Sequence, residues 1–178
     1  MNFQQKYENI VKKNSSLLCI GLDSDFDKLP AHIKKKEYPQ FEFNKAIIEA
    51  TYDLVCAYKP NSAFYEARGA SGIAELKMTM DFLNENYSDV CTILDAKRAD
   101  IGSTNEEYVK YIFDYLRMDA VTLHPYLGKE ALEPFLEQED KGLIILCRTS
   151  NPQSGEFQDL KTIVGDKLYK IVAKRVVN

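Results

Sequence analysis

Five short, continuous apolar runs recur along the chain, and each is followed by a segment whose apolar residues return with helical period. The runs are Leu17-Leu18-Cys19-Ile20, Leu54-Val55-Cys56-Ala57, Val90-Cys91-Thr92-Ile93, Ala120-Val121-Thr122-Leu123 and Ile144-Ile145-Leu146-Cys147. Unbroken apolar stretches of this length suit strands buried on both faces. Between them, Phe43, Ile47, Ala50 and Leu54 mark one helical stripe, Leu76, Met80 and Leu83 a second, and Tyr108, Ile112 and Tyr115 a third. Leu132, Phe135 and Leu136 come after the fourth run, and a last helix is expected from about Ile163 through Val177. The third stripe has an explicit start: Ser103-Thr104-Asn105-Glu106 fits a capping box, in which hydroxyl and carboxylate satisfy opposing backbone amides.

Strands are therefore expected to begin near residues 17, 54, 90, 119 and 142, each followed by a helix. Such alternation requires parallel strands joined by right-handed crossovers. Two α/β architectures satisfy it, a doubly wound open sheet and a TIM (β/α)8 barrel. No low-complexity or Pro/Gly-rich linker divides the 178 residues, so one domain is expected.

Charge and composition exclude several partners. A formal net charge of −4 argues against broad binding to nucleic acid or an anionic membrane. No apolar run approaches the ~20 residues of a membrane span. Met1-Asn2-Phe3-Gln4-Gln5-Lys6 lacks the apolar core of a signal peptide, and a cytoplasmic protein is expected. Cys19, Cys56, Cys91 and Cys147 lack C-x-x-C spacing and sit inside apolar runs. They are expected to be core thiols rather than nucleophiles or metal ligands.

The chemistry is carried by the residues just past each run. The first run ends in Gly21-Leu22-Asp23 and the second in Tyr58-Lys59-Pro60-Asn61. The third ends in Asp95-Ala96-Lys97-Arg98-Ala99-Asp100, the fourth in His124-Pro125-Tyr126, and the fifth in Arg148-Thr149-Ser150-Asn151. In a parallel sheet these ends share one edge, the edge where ligands bind in both architectures. Residues two apart on a strand share a face, so Asp95 and Lys97 are expected to project together into the cleft. The bare D-x-K-x-x-D pattern is weak, but it gains weight at the end of a buried strand with Lys59 one strand away. A structural ion-pair network at the sheet rim is the alternative. His124 is expected to pack at the rim, and with His32 it cannot make a two-histidine metal site on a helical spacing. Gly69-Ala70-Ser71-Gly72 is read as a plain turn rather than a phosphate cradle, and Lys34-Lys35-Lys36 as a solvated loop.

Four stretches together resemble the orotidine 5′-phosphate decarboxylases, within them the subfamily with a Lys-Pro-Asn second strand. They are Leu18-Cys19-Ile20-Gly21-Leu22-Asp23, Lys59-Pro60-Asn61-Ser62-Ala63-Phe64-Tyr65-Glu66, Leu94-Asp95-Ala96-Lys97-Arg98-Ala99-Asp100-Ile101-Gly102-Ser103-Thr104 and Arg148-Thr149-Ser150-Asn151-Pro152. The resemblance is collinear over nearly the whole chain and implies the TIM barrel rather than the open sheet. It implies a lyase that converts orotidine 5′-phosphate to UMP in pyrimidine synthesis with no cofactor and no metal. By the same resemblance Lys59, Asp95, Lys97 and Asp100 form an alternating charge cluster. Lys97 would protonate C6 of the pyrimidine, and Asp95 would lie against the substrate carboxylate. Asp23 and Asn61 match ribose-contacting positions and Ser150 a contact to the base. Asp100 and Thr104 match residues contributed to the neighbouring site of a homodimer.

The family's Gly-rich loop and phosphate-holding arginine have no counterpart here. After Gly142 only Gly155 and Gly165 remain, and Arg175 falls in the expected last helix. About five of a barrel's eight strands are legible, so the chain is expected to carry the N-terminal part of the barrel, truncated on its C-terminal side. Two other readings stay open. One is an inactive barrel fragment or assembly module. The other is a magnesium-dependent sugar-phosphate lyase of the same superfamily, which shares D-x-K-x-x-D but has an acidic metal ligand where this chain has Lys59.

Overall fold

A computed structural model describes residues 1–177. Five parallel strands, β1 (Cys19–Gly21), β2 (Ala57–Lys59), β3 (Cys91–Arg98), β4 (Ala120–Leu123) and β5 (Gly142–Ile145), form one sheet in the order β1-β2-β3-β4-β5. In a doubly wound sheet the order reverses at a switch point, whereas here every crossover moves the same way, as in a barrel wall. The helices are α1 (Phe3–Asn14), α2 (Ala31–Lys34), α3 (Pro39–Thr51), α4 (Ala63–Glu66), α5 (Gly69–Asn86), α6 (Gly102–Val109), α7 (Glu133–Leu136), α8 (Gly155–Gln158) and α9 (Leu168–Val177). No helix among the described residues is long and apolar enough to cross a membrane.

Helix α1 precedes the first strand and lies across the strands' N-terminal ends. Its start is a capping box, with Asn2 accepting from the Gln5 amide and Gln5 accepting from the Asn2 amide. Phe3 N donates to Asp140 O at 2.8 Å, and Lys6 Nζ meets Asp119 Oδ2 at 2.6 Å. That carboxylate also accepts from Thr92 N at 2.8 Å, so α1, β3 and β4 are tied through one aspartate. A Cβ on Gly142 would lie 2.5 Å from the Phe3 ring, so only glycine lets the helix approach β5 this closely.

The core sits between the strands and the helices that come after them, and it holds the second stripe, Leu76, Met80 and Leu83, almost wholly buried. The first stripe is displaced. Helix α3 buries Gln40, Asn44 and Ile48, while Ala50 and Leu54 are exposed and Leu54 lies beyond the helix end. Gln40 Nε2 and Asn44 Nδ2 are hydrogen-bonded within the core, so polar residues occupy the buried face and apolar periodicity points to the wrong one. The third stripe is displaced as well. Helix α6 passes into a π-helix over Lys110–Tyr115, and Leu116 N bonds Tyr111 O at 3.0 Å. The wider turn carries Phe113 and Leu116 inward and leaves Tyr115 exposed.

Other expectations change with the local backbone. The Ser103–Glu106 capping box does not form, because α6 starts one residue before Ser103, with Ile101 as its N-cap and no side-chain cap. Asn105 takes over by bonding back to Asp100, accepting from its amide at 2.8 Å and donating to its carbonyl at 2.6 Å. The last helix begins at Leu168 rather than Ile163, because Gly165 at φ +86° and the Lys161–Lys167 bridge make a turn there. Gly69-Ala70-Ser71-Gly72 opens helix α5 instead of forming a free turn. A Cβ on Gly72 would lie 2.0 Å from Tyr65 O, which requires glycine at the joint between α4 and α5. Cys56 and Cys91 are buried as expected, but Cys19 is exposed and Cys147 half-buried. Among the described strands β1 pairs only with β2, and Cys19 lies on this one-sided edge.

Candidate active site

Side chains from β2, β3 and β4 converge on one carboxylate. Asp95 is 8% exposed near the end of β3. Its Oδ2 accepts from Lys59 Nζ at 2.9 Å, and its Oδ1 accepts from Lys97 Nζ at 2.7 Å and Thr122 Oγ1 at 2.9 Å. Beyond β2 the pairing continues as a bridge between Asn61 and Asp95, with Asp95 N donating to Pro60 O at 2.9 Å. Asp23, just past the end of β1, accepts from Asn61 N at 3.1 Å, and Asn61 Oδ1 accepts from Ala63 N at 3.1 Å. Asp23, Asn61, Lys59, Asp95 and Lys97 thus form one connected rim.

Asp95 and Lys97 do meet, though not by simple strand alternation. Leu94 pairs with Val121 and Arg98 with Leu123, so β3 spends four residues where β4 spends two. The surplus is absorbed at Lys97, whose φ is +48°. Left-handed backbone costs a non-glycine residue about 1–2 kcal/mol. The Lys97 amide donates to Thr122 Oγ1 at 3.0 Å, which helps hold that conformation. Thr122 therefore binds both the carboxylate and the backbone of its lysine partner. Sequence reasoning missed it. Its signal was available, as a hydroxyl inside an otherwise apolar strand that must find a partner once buried.

The electrostatics follow from this geometry. Burial alone pushes the Asp95 carboxyl up, but hydrogen bonds from Lys97, Lys59 and Thr122 outweigh it and bring it down to about 2. Burial pushes Lys59 down, but the hydrogen bond to Asp95 together with the negative charges of Asp95 and Asp23 outweighs it, leaving its ammonium above the usual lysine range. Side-chain exposure is 10% at Asp95, 32% at Lys59 and 50% at Lys97, so a dry anion sits between two cations of which Lys97 is the more open.

The remaining candidates stand apart from this cluster. Asp100 is half-buried, and its carboxylate accepts from the Ile101 amide at 2.7 Å rather than from either lysine. Thr104 is half-buried in the first turn of α6, and Ser150 is exposed after β5. His124 packs at the rim, its Nε2 3.1 Å from Ala99 O. Arg68 is committed to Gln40 Oε1 at 2.7 Å and to Glu75. Arg148 is committed to Asp159 at 2.9 Å and to Thr149 O at 2.6 Å. Among the described residues no group of three His, Cys, Asp or Glu side chains is placed to hold a metal ion.

Sequentially ordered parallel strands with charged groups at their C-terminal ends define an α/β protein of the TIM-barrel type. Within that class the chain belongs to the orotidine 5′-phosphate decarboxylase / HUMPS family, whose sequence pattern matches residues 16–176. It is 52% identical over 172 residues to an orotidine 5′-phosphate decarboxylase of Flavobacterium johnsoniae, covering 97% of this chain and 62% of that protein. A Parabacteroides distasonis orotidine 5′-phosphate decarboxylase is 47% identical, with 98% and 62% covered. The fold superposes on a Leishmania donovani OMP decarboxylase with a TM-score of 0.84 at 35% identity, covering 98% of this chain and 64% of that one. The chain thus spans less than two thirds of the length of these relatives.

Proposed function

We propose that this chain carries the reaction centre of a decarboxylase that converts orotidine 5′-phosphate to UMP, in a protein of its relatives' length. The observation that carries the reading is Asp95 held ionised between Lys59 and Lys97. In the reaction the bond from C6 of the pyrimidine to its carboxylate breaks, CO₂ leaves, and the electron pair stays on C6. Lys97, the more open ammonium, stabilises that developing charge and then delivers a proton to C6. Asp95 lies beside the departing carboxylate, and their repulsion falls as CO₂ leaves. Lys59 keeps Asp95 ionised from its other side. These steps need no cofactor, because the ammonium serves where an electron sink otherwise would.

Asp23 and Asn61 take the ribose and Ser150 the base. Asp100 and Thr104 serve the neighbouring site of a homodimer, a reading supported by the Asp100 carboxylate bonding outside its own chain's cluster. The five strands are one continuous part of a single barrel domain, and the protein works in the cytoplasm on a free nucleotide. Neither Arg68 nor Arg148 is available to hold the substrate phosphate, so these 178 residues by themselves are expected to bind UMP weakly. Remote phosphate binding also helps orient the reacting ring, so turnover should be poor as well.

The test joins the C-terminal part of the Flavobacterium johnsoniae relative to this chain and assays UMP formation. Steady turnover supports the reading, and an inactive but folded chimera overturns it. Mixing Lys97→Ala and Asp100→Ala chimeras tests the shared site. Verified mixed dimers hold one intact site, so roughly a quarter of wild-type activity should return in an equimolar mixture. No recovery would place Asp100 within its own chain's chemistry.

A further inference from the structure

Behind the charged rim lies a buried polar network that the decarboxylation chemistry does not use. Gln40 and Asn44 on α3, Tyr65 on α4, and Glu75 and Thr79 on α5 are all at most 2% exposed. A polar group in such a place is costly unless bonded, and here the bonds lead to the rim. Tyr65 Oη donates to Leu22 O at 2.7 Å and accepts from Asn44 Nδ2 at 2.8 Å. Gln40 Nε2 donates to Ser24 O at 2.7 Å and to Phe64 O at 3.0 Å. Leu22 and Ser24 are the two neighbours of Asp23, and Phe64 lies in the segment that begins at Asn61.

The clamp is itself anchored. Glu75 Oε2 accepts from the Gln40 amide at 2.6 Å and the Phe41 amide at 3.0 Å, at the N-terminal end of α3. Arg68 bridges Glu75 and Gln40 Oε1, which leaves the Gln40 side-chain nitrogen to donate to Ser24 O and Phe64 O. Thr79 accepts from Asn44 Nδ2 at 3.1 Å, so the group facing Tyr65 is fixed as well.

We propose that Tyr65 and Gln40 are positioning residues for Asp23. Together they hold both carbonyls that flank it and so aim its carboxylate at Asn61 and at the sugar hydroxyls. The second half of that statement rests on the proposed function, in which Asp23 and Asn61 take the ribose. The first half does not. A fixed carboxylate gains more from a hydroxyl than a mobile one, because its orientation costs nothing at binding. The network thus acts on substrate choice through Asp23 without touching substrate.

The test uses Tyr65→Phe, which removes one hydroxyl and keeps the ring, and Gln40→Met, which keeps the volume and removes the amide. Two measurements are made on the 178-residue chain. Hydrogen exchange of the Asn61 amide, bonded to Asp23 Oδ1, reads the aim of the carboxylate with no nucleotide present. Protection at Asn61 should fall about tenfold or more in both variants, the scale of one bond to a charged group, while the amides of β3 and β4 keep theirs. Titration of UMP against its 2′- and 3′-deoxy forms reads the consequence, and the preference for the full ribose should fall by a similar factor.

Unchanged protection at Asn61 overturns the proposal, and so does a loss spread evenly over the sheet, which marks a purely structural role. Equal weakening toward UMP and the deoxy forms, with protection at Asn61 lost, removes the substrate half. A wild-type chain that shows no preference for ribose, with local loss of protection in the variants, overturns the ribose assignment and leaves the clamp standing. If Tyr65→Phe fails to fold, Gln40→Met decides alone.

Discussion

The rim built from β2, β3 and β4 and the segment after β5 are both rich in ion pairs, yet they are held in opposite ways. At the rim, two of the three side chains that grip Asp95 come from far away in the chain, and only Lys97 is local. Lys59 and Asp95 are 36 residues apart, and Asp95 and Thr122 are 27 apart. After β5 the partners are close neighbours: Thr149 bonds Gln158 nine residues on, and Arg148 bonds Asp159 eleven residues on. The first arrangement fixes side chains against three strands at once, and any one contact is supported by the others. The second folds a loop on itself, with Phe157, Leu160 and Ile163 left exposed. A preorganised charge cluster belongs on the first kind of support, and a segment able to move belongs on the second.

The largest effect is expected from Lys97→Ala in the length-completed chimera. On the proposed role of Lys97 as proton donor, its loss should lower kcat by at least ~1000-fold, about 4 kcal/mol or more of transition-state stabilisation. The stability lost should stay within about 1–2 kcal/mol, because Lys59 and Thr122 still hold Asp95 and the Lys97 side chain is half exposed. Near-wild-type UMP formation would remove Lys97 from its role.

A second prediction concerns acid. The Asp95 carboxyl is held at about 2, below its ordinary value of 3.8. A depressed carboxyl contributes stability that is fully present above its unfolded value and is lost as pH falls through its folded value. Between about pH 4 and pH 2, Asp95 should therefore account for roughly 2 kcal/mol of lost stability. Denaturant midpoints for wild type and Asp95→Asn across that window measure it. Parallel acid dependence in the two proteins would show that the lysines do not hold the charge as the geometry implies.

Thr122→Val should perturb the same cluster at smaller scale. It preserves shape but removes the donor to Asp95 and the acceptor for the Lys97 amide. About 1–2 kcal/mol of stability should be lost, with about a tenfold drop in kcat as Lys97 loosens. A stability loss with unchanged kcat would mean that the left-handed backbone at Lys97 does not depend on this hydroxyl.

The smallest effect is expected after β5. Arg148 and Asp159 are each about one third exposed on their side chains, and their pair is local. Arg148→Ala should shift stability by no more than about 1 kcal/mol and leave the rim untouched. A larger loss, or altered exchange at Asn61, would mean that the two regions are coupled after all.

Much of this fold is legible in the residues, for reasons that also explain the exceptions. Each apolar run marks a strand to within a few residues. Most of β2 and β3 and all of β4 are buried on both faces and so demand that composition, whereas β1 and β5 are partly open. Leu76, Met80 and Leu83 reveal α5 because they repeat along its buried face, although Glu75 and Thr79 are buried beside them. Helix α3 hides its face, since Gln40 and Asn44 are buried and apolar counting treats them as solvent-facing. The π-helix at Lys110–Tyr115 changes the period within a single stripe, so Tyr115 falls on the wrong side. At the site, residue types were readable at the strand ends. The grip of Lys59, Lys97 and Thr122 on Asp95 was only half readable, because Lys97 reaches it through a backbone conformation that no side-chain pattern encodes.

The neighbour-to-neighbour order of the strands also bears on how the protein is made. Each strand pairs with the one synthesised just before it, so the sheet can grow in step with the ribosome and need not wait for a distant partner. Lys59, Asp95, Lys97 and Thr122 all precede the end of β4 at Leu123. The nascent chain can therefore assemble its charged centre before β5 has emerged.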